Sequence, residues 1–204
     1  MSFRDEFGGA PTLKTERLVL REIRPEEDAE AFYRMTLDPE FMQYLPSRSM
    51  KSVEDAREAL QERVNRFDND ASIPFAITLK GEDVYLGCVE YYRFYAHNNQ
   101  IGELAYQLAK EHWNRGIMTE AVNALVAFGF EQLHLNRIEI QSHPGNYGSG
   151  GVASKAGFQK EANLREWKYD DARESWWDEC LIYSLLRREY TAKCAIHHPG
   201  GSES

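Results

Sequence analysis

The stretch HWNRGIMTEAV, residues 112–122, sets a single glycine, Gly116, between an arginine and a run of good helix formers. The N-terminus of a helix leaves backbone N–H groups without partners and carries partial positive charge. A tight turn directly before it therefore forms a concave seat for an anion, most often a phosphate. A glycine before a helix often marks only the boundary of the helix, without any ligand, so the rest of the chain has to support the hypothesis of an anion site.

The hydrophobic pattern before this stretch predicts two helices and four strands. One helix is predicted from Pro25 to about Leu37, because proline suits the first helical turn, and a second begins after the capping residue Ser52. The strands are TERLVLREI (15–23), FAITLK (75–80), DVYLGCVEYYRF (83–94) and QIGELAYQL (100–108). The last three follow one another directly, which predicts a meander.

Strands and helices alternate after the stretch. Helical periodicity runs from Ile117 to Leu133, and RIEIQSH (137–143) is predicted as the next strand. A short glycine-rich helix is expected at about 148–156, and a hairpin that turns near residues 171–173 follows it. A strand, an anion-binding loop, a helix and a strand thus form one βαβ unit.

The predicted order is β-α-α-β-β-β-α-β-α-β-β, an α/β fold with a mixed, mostly antiparallel seven-stranded sheet flanked by about four helices. The chain has 204 residues, of which 42% are hydrophobic, and this is enough for one sizeable core. We therefore expect a single domain over residues 1–190. Residues 191–204 have little to bury and are predicted to be a disordered tail.

Composition narrows the class of function. The net charge of −9 argues against nucleic acid as the principal partner and is compatible with a cationic substrate such as an amine. Three widely spaced cysteines suit a reducing cytoplasm better than a disulfide framework or a zinc site. No run of 18 apolar residues and no N-terminal apolar segment occurs, so a cytoplasmic protein without membrane partners is expected.

Three blocks of the sequence carry a resemblance to a known family. They are GELAYQLAKEHWNRGIMTEAV (102–122), HPGNYGSGGVASKAGF (143–158) and WWDECLIYSLLRREY (176–190). Together with the order of elements, they resemble the GNAT N-acetyltransferases, and within them the Rim-type branch that acetylates the N-termini of ribosomal proteins. The resemblance spans residues 13–190. It implies that acetyl-CoA binds where the fourth strand meets the third helix.

The resemblance also implies which residues bind acetyl-CoA. The family's pyrophosphate loop falls on Trp113, Asn114, Arg115, Gly116, Ile117 and Met118, with Thr119 next, and Asn146 and Ser149 match a second block near the thioester. Gly116 fits the loop pattern, whereas Trp113 and Met118 depart from it, and the long Met118 side chain is expected to narrow the seat. Asn114 tolerates the left-handed conformation that glycine often fills there. The pair Gly150-Gly151 departs from the second block and predicts a loose helix.

An amine attacks a thioester only when it is unprotonated, and the pKa of an α-amino group is about 7.8 against about 10.4 for lysine. Glu103 is the candidate base, because alternation places it on one face of the strand and the Rim-type pattern has an acid there. Glu166 is the alternative base, and a structural ion pair is the alternative role for Glu103. The Leu108 N–H is expected to polarise the thioester carbonyl. Ser149, rather than Tyr147, is expected to protonate the departing thiolate.

The sequence thus predicts an acetyl-CoA-dependent N-acetyltransferase that acts on a primary amine by direct attack in a ternary complex. The acceptor stays open between a protein N-terminus, a polyamine and another small amine, and so does homodimer formation. A catalytically idle acyl-CoA-binding module is the alternative. The chain lacks the GxSxG elbow, the GxxxxGK[ST] loop and acidic or histidine clusters at metal spacing, so no metal is expected. The histidines, His97 among them, have no patterned partner.

Overall fold

The computed structural model describes residues 3–45, 50–95, 100–167, 169–170, 174–176 and 178–197. Within these ranges there are seven helices: α1 (Phe3–Phe7), α2 (Pro25–Thr36), α3 (Pro39–Met42), α4 (Val53–Asp68), α5 (Ile117–Glu131), α6 (Tyr147–Ala156) and α7 (Arg187–His197). The strands are β1 (Leu13–Lys14), β2 (Leu18–Arg21), β3 (Ile73–Leu79), β4 (Gly87–Tyr95), β5 (Ile101–Leu108), β6 (Arg137–Ser142), β7 (Gln159–Arg165), β8 (Tyr169–Asp170), β9 (Ser175–Trp176) and β10 (Glu179–Leu186). No helix in the described ranges is long and apolar enough to cross a membrane.

The main sheet has eight strands in the order β1-β2-β3-β4-β5-β6-β10-β7. Every neighbouring pair is antiparallel except β5 and β6, which run parallel across the α5 connection. The predicted mixed, mostly antiparallel fold and its element order are confirmed. The counts differ because β1, the separate β8–β9 ribbon, α1 and α3 are too short to show a periodic pattern.

The parallel pair of strands separates partway along its length. β5 and β6 pair from Ile101↔Arg137 to Leu104↔Ile140, whereas the remaining residues of β5, 105–108, pair only with β4. A gap therefore opens in the middle of the sheet, beside the loop that leads into α5. We call it the β5–β6 gap.

Two layers of helices cover opposite faces of the sheet. α5 packs on the face formed by side chains such as Val89 and Leu104, in the larger apolar cluster. α2 and α4 pack on the other face, against Ala76 and Cys88. Ser52 caps α4 as predicted, since its hydroxyl accepts a hydrogen bond of 3.1 Å from the Asp55 amide. The strand predicted from residue 83 begins only at Gly87.

In the C-terminal region, α7 continues to His197, so this helix includes the first residues of the segment 191–204 that is predicted to be a tail. The Tyr190 ring packs on Phe130, with 5.1 Å between ring centroids, and the Glu189 carboxylate accepts from the Leu186 amide at 3.0 Å. These contacts anchor the first turn of α7 to the domain. The weak apolar pattern of this segment of the sequence does not indicate such contacts. Residues 198–204 and the predicted hairpin turn at 171–173 lie outside the described residues.

Candidate active site

The loop before α5 turns through two left-handed residues. Asn114 has φ 58° and Gly116 has φ 75°, so Asn114 adopts the conformation expected of it, and Gly116 is the N-cap of α5. Glycine suits this position because a side chain at positive φ is strained, not because of crowding, since the nearest neighbour of a Cβ there, Nη2 of Arg17, would lie at the ordinary contact distance of 3.4 Å. The turn leaves the first amides of α5 facing outward, as an anion-binding seat requires.

A hydrogen-bond network ties this loop to the segment before β2. Arg17 donates from Nε to Glu120 Oε2 at 2.6 Å and from Nη1 to the Arg115 carbonyl at 3.0 Å. The Thr15 hydroxyl donates to Glu120 Oε1 at 2.6 Å. Burial raises the pKa of Glu120, but the hydrogen bonds from Thr15 and Arg17 outweigh burial and hold that pKa below its usual value. Neither Arg17 nor Glu120 was identified from the sequence, because their pairing joins residues 103 positions apart.

An open cleft of about 580 Å³ adjoins the turn. Gly116, Thr119 and Asn123 line it from the start of α5, the exposed lysines Lys14 and Lys155 line it from β1 and α6, and two carboxylates, those of Glu16 and Glu120, line it as well. The two lysines and the backbone donors of the turn favour an anionic ligand, whereas Glu16 opposes it and Glu120 is paired with Arg17.

The side chains of the loop divide into two groups. Ile117 and Met118 are buried in the core, so they offer only their backbone amides and Met118 does not narrow the seat, contrary to expectation. Arg115 is exposed, and its Nη1 lies 3.3 Å from His112 Nδ1. Trp113 donates from Nε1 to the Leu108 carbonyl at 2.7 Å and so fixes the loop to the end of β5.

The Leu108 amide is directed into the β5–β6 gap. Successive N–H groups of a strand point to opposite neighbours, and the next amide, that of Ala109, donates to Leu86 O on the β4 side at 2.8 Å. The Leu108 N–H therefore points toward β6, beyond the place where the pairing of the two strands ends. A backbone donor in such a position is available to an oxygen atom held in the gap.

Tyr106 and Ser149 meet on the α5 face of the sheet, next to the gap. The Tyr106 hydroxyl lies 3.0 Å from Ser149 Oγ and donates to the Ser149 carbonyl at 3.1 Å. Burial raises the pKa of Tyr106 to about 12, with the Ser149 hydrogen bond acting against it. Tyr106 was not singled out as a site residue from the sequence, although alternation along β5 places it on the same face as Leu104 and Leu108. Tyr147 is 87% exposed and has no comparable contact among the described side chains.

Helix α6 is held by local contacts. Asn146 caps it, because its side-chain oxygen accepts from the Ser149 amide at 3.0 Å. A Cβ at Gly150 would lie 2.9 Å from the Tyr183 hydroxyl, whereas one at Gly151 would meet nothing within 4 Å. The helix is regular from Tyr147 to Ala156, so the glycine pair does not interrupt it, and Gly150 makes room for a neighbouring side chain.

Glu103 is buried on the opposite face of the sheet. It is 5% exposed, and its Oε2 accepts from Arg93 Nε at 2.7 Å and from Gln141 Nε2 at 3.4 Å. The structural ion pair considered for this residue is therefore present, beside the gap where a base would be needed. Glu166, the alternative base, is exposed near the end of β7, and its amide donates to the Asp178 carbonyl at 3.2 Å.

Comparison with known proteins gives one consistent answer. A family model described as an acetyltransferase (GNAT) domain matches residues 17–159. The uncharacterized N-acetyltransferase p20 of Bacillus licheniformis is 35% identical over 184 residues, which cover 88% of this chain and 98% of that protein. The putative ribosomal N-acetyltransferase YdaF of Bacillus subtilis (strain 168) is 36% identical over 92 residues, 45% of this chain and 49% of that one.

A solved structure shares the same fold. It is RimL, a ribosomal L7/L12 alpha-N-protein acetyltransferase in complex with coenzyme A, with a TM-score of 0.74 and 17% sequence identity. The match covers 86% of this chain and 98% of that one.

Proposed function

Because this chain belongs to the acetyltransferase (GNAT) family, with relatives in the ribosomal-protein acetyltransferase branch, we propose that it transfers the acetyl group of acetyl-CoA to a primary amine. The observation that carries this proposal is the β5–β6 gap. It opens beside the left-handed turn at Gly116 on one face of the sheet, and Glu103 lies near it on the other face. The two substrates can thus approach the gap from opposite sides.

The cofactor side of the site fits acetyl-CoA. We propose that the loop from Trp113 to Thr119 holds the pyrophosphate through its backbone amides, with Arg115 adding charge from the surface. The left-handed turn at Gly116 supports this role, because it presents the amides without a side chain in front of them. Asn146 contributes by fixing the start of α6 beside Ser149.

The chemistry needs no covalent enzyme intermediate. The unprotonated amine attacks the thioester carbonyl carbon, a C–N bond forms, the C–S bond breaks, and the thiolate takes up a proton. The Leu108 N–H would stabilise the negative charge on the carbonyl oxygen. Glu103 would accept the amine's proton, directly or through water, and Ser149 would donate one to the thiolate with Tyr106 as its neighbour.

We propose a protein N-terminus as the acceptor, over a polyamine or another small amine. An α-amino group, with a pKa of about 7.8, loses its proton at neutral pH far more readily than a lysine side chain, with a pKa of about 10.4, so it depends less on a strong base. The names of the relatives, which include a putative ribosomal N-acetyltransferase, agree with this choice. No described feature of the site favours the alternative, a catalytically idle acyl-CoA-binding module.

A thiol-release assay tests the proposal. The protein is mixed with acetyl-CoA and, in separate reactions, with peptides that begin with Ala or Ser, with spermidine and with buffer alone. We expect thiol release above the buffer rate with at least one amine, and faster release with the peptides than with spermidine. Heat of acetyl-CoA binding without any amine-dependent thiol release would instead establish the acyl-CoA-binding module.

A further inference from the structure

The Arg17 guanidinium contacts both the loop before α5 and the first turn of that helix. Its Nη1 donates to the Arg115 carbonyl at 3.0 Å, and its Nε donates to Glu120 Oε2 at 2.6 Å. The backbone N–H of Arg17 also donates to Glu120 Oε1, at 2.8 Å. Because a guanidinium is planar and rigid, bonds from two of its nitrogens fix the Arg115 carbonyl relative to the start of α5.

The bond to this carbonyl sets the orientation of a whole peptide group. The peptide bond between Arg115 and Gly116 is trans, so its C=O and N–H point in opposite directions. With the carbonyl turned toward Arg17, the Gly116 N–H is turned away from Arg17, and it is one of the N–H groups that begin α5 without a partner inside the helix. The reverse orientation would exchange the positions of this N–H and the carbonyl oxygen, and a carbonyl oxygen repels an anion.

The residue type at position 116 does not select one of these orientations. Rotation of the peptide group changes the sign of φ at Gly116, and glycine populates φ of either sign about as readily. Residues 114–116 are exposed, so the protein interior does not hold them in place. The hydrogen bond from Arg17 therefore keeps the peptide group in one orientation before a ligand arrives, and groups that are fixed in advance reduce the cost of binding.

The pairing with Glu120 removes a second obstacle to an anionic ligand. Glu120 lies in the first turn of α5, where its negative charge would repel a phosphate at the start of the helix. Its carboxylate accepts from the Thr15 hydroxyl at 2.6 Å as well as from the backbone and side chain of Arg17. Hydrogen bonds from a cation compensate the charge of a carboxylate. The repulsion is thus reduced while Arg17 is in place.

We infer that Arg17 is a positioning residue for the pyrophosphate of acetyl-CoA, which keeps the Gly116 N–H turned toward the ligand and compensates the charge of Glu120. This inference rests on the proposed function and adds to it a residue outside the loop 113–119. Arg17 acts through the turn and not by contact with the ligand. Its loss should therefore weaken only those acetyl donors that carry a pyrophosphate.

Two acetyl donors test the inference, with a peptide that begins with Ala as the acceptor. They are acetyl-CoA and S-acetylpantetheine, which has the same thioester but no pyrophosphate. Arg17→Met should lower kcat/KM for acetyl-CoA by about tenfold or more and leave kcat/KM for S-acetylpantetheine within about twofold of the parent. At saturating acetyl-CoA, kcat should also stay within about twofold, because only donor binding is weakened. A purely structural role would lower the activity with both donors equally.

Arg24→Met is the matched control. Arg24 also pairs with a carboxylate at 2.6 Å, that of Asp83, and its side chain is 47% exposed against 46% for Arg17. It is the N-cap residue of α2 and lies outside the proposed acetyl-CoA site, so its substitution should change kcat/KM for neither donor. Circular dichroism checks the fold of each variant. If Arg17→Met does not fold, Arg17→Lys decides, because lysine keeps the charge beside Glu120 but lacks the planar fork.

A double variant separates positioning from direct contact. If Arg17 acts through the peptide group at Gly116, Arg17→Met should lower kcat/KM for acetyl-CoA by less than about twofold once Gly116→Val has already changed the turn. Fully additive losses would mean that Arg17 touches the ligand itself, and they would overturn the positioning role.

Other results would also overturn the inference while the proposed function stands. One is a folded Arg17 variant whose kcat/KM is unchanged with both donors or falls equally with both. If the parent uses only acetyl-CoA, the deciding results are an unchanged calorimetric affinity of the variant for acetyl-CoA or a tenfold fall in kcat at saturation. A parent protein that acetylates the peptide with neither donor would refute the proposed function as well as the inference.

Discussion

The hydroxyl groups of Tyr106 and Ser149, which are 43 residues apart in the chain, lie 3.0 Å from each other beside the β5–β6 gap. One comes from the strand that leads into the cofactor loop, and the other comes from the first turn of α6. Since burial raises the pKa of Tyr106 to about 12, its hydroxyl stays protonated at neutral pH. The pair thus keeps two protonated hydroxyl groups side by side next to the gap, and the Ser149 hydroxyl is the proposed proton donor.

Tyr106→Phe should lower kcat by roughly tenfold to a hundredfold and leave acetyl-CoA affinity unchanged, because it removes one proton donor and no cofactor contact. It should also change stability at high pH. A folded-state pKa above the unfolded value of 10.0 gives stability that is present below pH 10 and lost as pH rises through about 12. Urea unfolding between pH 8 and roughly pH 11 should show a smaller decline for the variant. Equal declines would mean that Tyr106 is not the group responsible.

Gly116→Val should weaken acetyl-CoA binding by about tenfold or more, because a β-branched side chain is strained at φ 75° and would block the anion seat. Isothermal titration calorimetry measures the affinity. Gly151→Ala is the control, since a Cβ there meets nothing within 4 Å, and its affinity should match that of the parent. If Gly116→Val binds as tightly as the parent, the loop does not hold the pyrophosphate.

Glu120→Gln should reduce the free energy of unfolding by about 1 kcal/mol at pH 7, a modest value because Arg17 is partly exposed. Since hydrogen bonds hold the pKa of Glu120 below 4.5 in the folded state, its contribution is complete above pH 4.5 and is lost as pH falls through the folded value. The difference between parent and variant, measured by urea unfolding, should therefore be constant near neutral pH and shrink in acid. A difference that persists undiminished at pH values well below 4.5 would contradict this assignment.

Glu103→Gln should lower kcat by roughly a hundredfold, flatten the acidic limb of the pH–rate profile and keep acetyl-CoA affinity. The fold should tolerate the change, because Arg93 is half-exposed and can be solvated when its partner is lost. An unchanged kcat together with an unchanged acidic limb would mean that Glu103 has only a structural role, in its ion pair with Arg93. The base would then be Glu166, or the amine would lose its proton without an enzyme base.

The order of elements was readable from the sequence because long strands and helices carry strong periodic signals, as β5, α5 and the Ser52 cap illustrate. The partner of Glu103 was not readable. A bulge between Tyr91 and Arg93 shifts the register of β4, and this shift places Arg93 opposite Glu103. Simple alternation from Glu90 would have placed Tyr92 on that face instead.

Contacts between segments that are distant in the chain were also not predictable from the sequence. The Arg17–Glu120 ion pair depends on where the segment before β2 lies relative to α5, which a local pattern does not specify. By contrast, the left-handed turn at Asn114 and Gly116 follows from the residues themselves, because these two residue types tolerate positive φ.

The most direct test of the account is to locate the acetyl group on a peptide that has both an N-terminal Ala and an internal Lys. The peptide is incubated with the protein and acetyl-CoA, and fragmentation mass spectrometry identifies the modified nitrogen. We predict one acetyl group on the α-amino nitrogen, in proportion to the thiol released, and little on the lysine. A peptide that stays unmodified at both nitrogens, although calorimetry shows acetyl-CoA bound to the folded protein, would contradict the account.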